Sequence, residues 1–313
     1  MFLELSGLSK SFDGRRVIDD LTLGVNRGEV LCLLGASGCG KTTTLRLVGG
    51  FLAPESGRVL LDGADVTDLG PEVRPTSTVF QSYALFPHLT VAQNVAYGLR
   101  FSGASRQEAH ERAAQMLEAV DLADQADARV DQISGGQRQR VALARSLVLD
   151  PKVLLLDEPF SNLDANLRLR MRGEVRQIQR RFGVTTLFVT HDREEAMAFG
   201  DRVAIMRDGR ILQAATPREA YDQPADLYCA RFLGHVNELP GPDGASVYFR
   251  PEDVRLGAEG GLTGTVESVT YLGGTREVAL AAEGRRVLAR VPADQTYAKG
   301  MEVPFDIART ISF

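Results

Sequence analysis

Gly35-Ala36-Ser37-Gly38-Cys39-Gly40-Lys41-Thr42 is the segment of this chain best equipped for chemistry. It matches G-x-x-x-x-G-K-[ST], with a buried strand predicted over 29–34 and a helix over 41–50. Glycines there let backbone amides curl around phosphates, and the helix N-terminus adds its dipole. Lys41 brings a cation to the β/γ-phosphates, the Thr42 hydroxyl suits Mg²⁺, and Thr43 follows on the same helix. An ordinary glycine turn is the plainer reading, and the strand-to-helix context argues against it. Cys39 could be a reactive thiol, but a small tolerated side chain is the simpler account, because phosphate loops work through backbone.

A second constellation lies downstream. Val153-Leu154-Leu155-Leu156 is an apolar run that delivers Asp157-Glu158 at its end, and ligands gather at the C-terminal ends of strands in open α/β sheets. Asp157 is expected to hold Mg²⁺ through water, and Glu158 to polarise an attacking water as general base. Alone, such a pair reads as readily as a surface turn; the phosphate loop favours the catalytic reading. His191 follows a further apolar strand, Thr185–Thr190. A lone histidine is more often structural.

The elements that must position these residues alternate. Strands are predicted at 57–63, 78–80, 152–156 and 185–190, helices at 135–149, 165–182 and 193–199, and a hairpin turns at Asp208-Gly209. Residues 2–34 read as strands and turns, and 90–125 as helical. Ser134 is a natural N-cap, and Asp150-Pro151 stops the helix that follows it. This pattern predicts an α/β domain with a largely parallel core. From about 235 the texture changes to glycine, proline and short β-rich runs, which predicts a small all-β, barrel-like second domain. The expected division is 1–234 and 235–313, with a helical subdomain at about 88–152.

Composition narrows the classes. With 36 basic and 41 acidic residues the formal charge is −5, so no global basic field points to nucleic acid. The three cysteines form no metal pattern and fit a reducing compartment. The start has no basic segment followed by a long apolar one, so no signal peptide is expected. No apolar run approaches the ~18 residues of a membrane helix, so any membrane role is expected to come through a partner.

Ser134-Gly135-Gly136-Gln137 lies between the two constellations. With the phosphate loop, Gln81, Leu156-Asp157-Glu158-Pro159, Asn162-Leu163-Asp164 and His191 in order, residues 3 to about 233 resemble an ATP-binding-cassette (ABC) ATPase. The resemblance implies a P-loop cassette with a helical subdomain. Two copies would face head to tail and sandwich two MgATP. Each site would join one chain's phosphate loop to the other's Ser134, Gly135, Gly136 and Gln137. Phe12 resembles the aromatic that stacks on adenine, with a core aromatic as the plainer reading, and Val17 joins it in the nucleotide set. Gln81 resembles the residue that touches Mg²⁺ or the nucleophilic water. Asp164 would organise the dimer seam, and His191 would face the γ-phosphate. Ile133 stands where Leu is usual, and Asn162 where many relatives have Ala.

Gln81-Ser82-Tyr83-Ala84-Leu85-Phe86-Pro87-His88-Leu89 further resembles importers for ferric iron, polyamines and sugars. The resemblance implies a peripheral subunit on the cytoplasmic face of the inner membrane, serving transmembrane permease subunits and, through them, an external solute-binding protein. Residues 82–95, with exposed aromatics, would receive the permease. A core role for Tyr83 and Phe86 is the alternative. Phe249-Arg250-Pro251-Glu252-Asp253-Val254 resembles the accessory, TOBE-type β-domain of these importers. Ferric iron or polyamine is the expected cargo, with sugar import as the alternative. Helix 165–182 carries many arginines, expected as a solvated basic face; a non-transport ABC ATPase acting on nucleic acid is the competing reading.

Overall fold

The computed structural model describes residues 1–241, 244–257 and 261–313. Pro242 and Asp243, in the glycine- and proline-rich stretch where the domain change is expected, lie outside the described residues. The chain forms two compact units, Met1–Pro217 and Arg218–Phe313. Packing thus divides the chain earlier than the 234/235 change in composition.

In the first unit the elements run β1 (Leu3–Phe12), β2 (Arg15–Val25), β3 (Val30–Gly35), α1 (Lys41–Val48), β4 (Ser56–Leu61), β5 (Ala64–Asp65) and β6 (Thr76–Val79). Helices α2 (Val91–Ala96), α3 (Arg106–Ala119) and α4 (Gly135–Leu147) follow. Then come β7 (Val153–Asp157), α5 (Ala165–Phe182), β8 (Thr185–Thr190), α6 (Arg193–Phe199), β9 (Arg202–Arg207) and β10 (Arg210–Ala215).

The central sheet has six strands in the order β10-β9-β3-β8-β7-β6. Only β10 runs antiparallel, as the edge of the β9–β10 hairpin. Every residue of β3 and of β8 is buried, as expected of parallel strands covered on both faces. The parallel register sets the site. Leu34 pairs with Thr190, and Asp157 with Val189, so the segments leaving β3, β7 and β8 emerge at one edge of the sheet.

Residues 2–34 do not all join this sheet. β1 and β2 pair with each other, and β1 with β4, in a separate four-stranded antiparallel sheet, order β2-β1-β4-β5. The predicted 57–63 strand therefore lies outside the parallel core. Inward residues of that sheet, among them Leu5, Leu21 and Val59, share one apolar cluster with Leu31 and Leu33 of β3 and Leu45 of α1. Helices α2, α3 and α4 pack on one another. They bury Val91 and Val95 from α2, Ala113 and Leu117 from α3, and Leu143 and Leu147 from α4.

The second unit takes in α7 (Pro217–Asp222) and α8 (Leu227–Leu233), two short helices that the sequence pattern did not signal. Seven strands follow: β11 (Asn237–Pro240), β12 (Ser246–Phe249), β13 (Val254–Leu256), β14 (Leu262–Tyr271), β15 (Thr275–Ala282), β16 (Arg285–Pro292) and β17 (Glu302–Ile307). Five of them form an antiparallel sheet, β13-β17-β14-β15-β16, curled until its end strands β13 and β16 lie against each other. Alternate residues point inward, so Val266, Val278, Leu280, Val287, Ala289, Val303 and Phe305 form a core of their own. Asn237 stands in for a strand at the β16 edge: its side-chain amide donates to the Leu288 carbonyl and its oxygen accepts from the Leu288 amide, both at 2.8 Å.

Candidate active site

The phosphate loop connects β3 to α1 with no side-chain cap at the helix start, which leaves the first-turn amides free for a ligand. Gly40 sits at φ 111°, and a Cβ there would meet Ile18 Cδ1 at 2.7 Å and the Val17 carbonyl oxygen at 2.9 Å. No other residue type fits. Lys41, itself buried, donates to the Gly35 carbonyl at 2.8 Å and the Ala36 carbonyl at 3.0 Å, so its ammonium is held inside the loop. The Cys39 thiol is pushed up by burial, with Lys41 opposing, which keeps it protonated and unreactive.

A cavity of about 300 Å³ opens over this loop. Ser37, Gly38, Gly40, Lys41, Thr42 and Thr43 line one part of it. Phe12 and Val17 line another, and Glu158 a third. Phe12 is 41% exposed, so its ring is offered to the cavity side and is not a core aromatic. Thr42 Oγ1 lies 3.3 Å from Asp157 Oδ1. Burial pushes the Asp157 carboxyl up and the Glu158 charge adds to this, while the Thr42 hydroxyl opposes it. A desolvated carboxylate beside a hydroxyl is an oxygen pair that welcomes a hard cation.

Glu158 adopts a left-handed backbone, φ 45°, a conformation uncommon for a non-glycine residue. Its surroundings enforce this. The Glu158 amide donates to the Val189 carbonyl at 3.0 Å, and Ser161 Oγ to the Glu158 carbonyl at 2.9 Å. Phe160, fully buried, packs against Phe188 of β8 and Phe199 of α6, with ring centroids 5.7 and 5.9 Å away. His191 Nδ1 comes within 3.1 Å of Glu158 Oε1. The histidine loop is itself braced: Asp192 donates its amide to Thr190 Oγ1 at 3.0 Å, and that hydroxyl donates to Glu195 at 2.7 Å. Arg172 reaches Glu195 at 3.2 Å and Asp192 at 3.3 Å, and Arg168 flanks both.

This narrows the reading of α5 as a solvated basic face: Arg170, Arg180 and Arg181 are exposed, as that reading expects, but the face between them is not. Arg172 is buried, Arg176 pairs with Asp201, and Arg181 donates to the Ala119 carbonyl at 3.0 Å. Sequence reasoning missed the brace because arginine spacing does not tell what a helix packs against.

Ser134 caps α4 in a reciprocal box. Its hydroxyl accepts from the Gln137 amide at 3.3 Å, and Gln137 Oε1 accepts from the Ser134 amide at 2.8 Å. A Cβ on Gly136 would lie 2.9 Å from Met171 Sδ, so this glycine lets α4 approach α5. Ser134, Gly135, Gly136 and Gln137 are not among the residues lining the phosphate-loop cavity of their own chain. Asp164 caps α5, accepting from the Leu167 amide at 2.9 Å. Gln81 is exposed, and its carbonyl accepts from Asn162 Nδ2 at 2.8 Å. The aromatics after Gln81, expected from sequence to be exposed, are not all so. Tyr83 is buried with its hydroxyl donating to the Pro159 carbonyl at 3.2 Å, and Phe86 packs at a tilt on Tyr97, with ring centroids 4.3 Å apart. A separate cavity of about 700 Å³ opens on the helical part, beside Thr90, Ala92, Gln93, Ala96 and His110.

Comparison with known proteins bears on this geometry. The ABC transporter family model matches residues 18–161, and the TOBE domain model residues 247–310. The Fe(3+) ions import ATP-binding protein FbpC of Photorhabdus laumondii is 44% identical, over 94% of this chain and 91% of that protein. The spermidine/putrescine import ATP-binding protein PotA of Aliivibrio fischeri is 45% identical, over 91% of this chain and 87% of that protein. A dimeric structure of the ATP-binding cassette MJ0796 in a post-hydrolysis state, bound to ADP and Pi, superposes with a TM-score of 0.60 at 29% identity, covering 69% of this chain and 99% of that one. The chain belongs to the ABC transporter family. Within it, the chain is an ATP-binding subunit with ATPase activity, built as a P-loop cassette followed by a TOBE-type β-domain.

Proposed function

We propose that this chain powers solute import: two copies close head to tail on MgATP and drive a membrane permease, with ferric iron or polyamine as cargo. The observation that carries the reading is the cavity that joins Phe12, the phosphate loop and Glu158 in a chain similar along nearly its whole length to importer subunits. Relatives named for both cargoes match at 44% and 45% identity, so both classes are kept. No helix among the described residues is long and apolar enough to cross a membrane, in keeping with a peripheral place on the cytoplasmic face. The permease would dock on residues 82–95, where Thr90, Ala92 and Gln93 line the 700 Å³ cavity, and the external solute-binding protein would act through it. The pairing of Arg172 and Arg176 with acids of their own chain weakens the support for a nucleic-acid partner.

In this mechanism the phosphate-loop amides and Lys41 hold the β/γ-phosphates, and Phe12 and Val17 flank the base. Thr42 and Asp157 would hold Mg²⁺, with Gln81 joining them in the closed site, and the ion would supply positive charge to offset that of the phosphates. Glu158 takes the proton from the attacking water. His191, 3.1 Å away, holds that carboxylate and faces the γ-phosphate. Ser134, Gly135, Gly136 and Gln137 of the second copy close the site from the other side, and Asp164 lines the seam. The test is Glu158→Gln. It should retain ATP, accumulate as a dimer by light scattering and lose at least ~100-fold in turnover. Brisk hydrolysis by that variant would remove Glu158 from the base role.

A further inference from the structure

The segment after Gln81 turns through two consecutive left-handed residues, Tyr83 at φ 61° and Ala84 at φ 46°. Neither is glycine, and such backbone persists only where its surroundings over-determine it. Arg145, in the last turn of α4, supplies the strongest restraint. Its Nη1 donates to the Ala84 carbonyl at 2.7 Å and its Nη2 to the Tyr83 carbonyl at 2.8 Å, so one planar fork grips both residues. Burial is what perturbs this guanidinium, with no carboxylate pairing to it among the described residues, and it rests 5.6 Å over the Phe86 ring. On the far side, Asn162 holds the Gln81 carbonyl at 2.8 Å and the Tyr83 hydroxyl reaches the Pro159 carbonyl at 3.2 Å. The Gln81–Ala84 turn is thus suspended between α4, which Ser134 caps, and the loop that begins at Glu158.

We propose that Arg145 is a positioning residue for ATP turnover. Its forked grip fixes the strained turn, sets Gln81 against the Glu158 loop, and makes that turn move with α4. The inference rests on the ATPase reading above and extends it to a residue outside the cavity. A cation near a helix C-terminus also complements the dipole, but a lysine does that equally well. Only the arginine fork can serve two adjacent carbonyls in one plane.

The test is steady-state ATPase of the full chain carrying Arg145→Lys, Ala84→Gly or both. Arg145→Lys should lose about tenfold in kcat with KM for ATP within about twofold, as for a misplaced group made to matter in the transition state. Ala84→Gly alone should stay within about twofold of the parent, because glycine takes a positive φ without strain. In the Arg145→Lys background it should restore about fivefold, since the turn then needs less restraint. Asn162→Ala, at an exposed position, should lower kcat about threefold with KM unchanged, and it reads the same turn if the Arg145 variant folds poorly. Full activity of Arg145→Lys, no rescue by Ala84→Gly, or an Asn162→Ala effect on KM alone would overturn the proposal. A parent chain without MgATP turnover would overturn the ATPase reading along with it, so the two failures are told apart by the parent's rate.

Discussion

Asp157 is caught between folding and function. Burial and the neighbouring Glu158 charge raise its carboxyl above the ordinary range, so folding disfavours its ionised form. For a raised folded value, the contribution to stability is fully present below the unfolded carboxylate pKa and is lost as pH rises through the folded value. At neutral pH the nucleotide-free protein therefore carries this cost, and a neutral isostere relieves it. Asp157→Asn should melt about 2 °C higher than the parent at neutral pH without nucleotide. The difference should close below about pH 4, where the parent carboxyl is protonated as well. The same variant should lose the Mg²⁺ dependence of its ATP affinity. A lower melting temperature at neutral pH would contradict this account. The phosphate loop, Asp157 and Glu158 were legible in sequence because backbone chemistry demands glycine at fixed spacing and because the acids end an apolar run. The left-handed Glu158 was not, since its φ is imposed by Val189, Ser161 and the Phe160 cluster, which are distant in sequence or silent in pattern.

At the scale of elements, α5 acts as a clamp on the His191 loop. Arg172 and Glu195 are both nearly sealed from water, at 10% and 5% side-chain exposure, so their pairing is worth far more intact than broken. Arg172→Met should cost about 3 kcal/mol by leaving Glu195 buried without its closest cation. Adding Glu195→Gln should recover most of that loss, as measured by urea unfolding of the two single variants and the double variant. Equal and additive losses would mean that the pair does not act as a unit. The bounds of α5, β8 and α6 follow from periodicity and from N-capping aspartates, Asp164 and Asp192, whose side chains satisfy the first amides. Periodicity could not separate β4 from the parallel core. A short half-buried run looks alike in either sheet, and only its pairing with β1 decides. The helices α7 and α8 escaped for a similar reason: each is too short to build a periodic signal.

For the whole molecule, the two units each carry their own apolar core. The nucleotide cavity draws every lining residue from the first unit. A chain ending at Pro217 should therefore fold and bind MgATP with an affinity within about threefold of the full chain, read by titration with a fluorescent nucleotide analogue. A truncated chain that cannot unfold cooperatively would show instead that the β-domain is needed to complete the cassette.

The capping box at Ser134 has a kinetic corollary. These residues do not line their own chain's cavity, and in the proposed site they serve the neighbouring copy. A free subunit would then work at a rate set by encounters between copies, rising steeply with dilution reversed. Two copies pinned to one membrane assembly meet at an effective concentration on the order of millimolar, whatever their abundance in the cell. The membrane partner would thereby act as a tether before it acts as a machine, while a subunit away from it would meet another copy too rarely to consume much ATP.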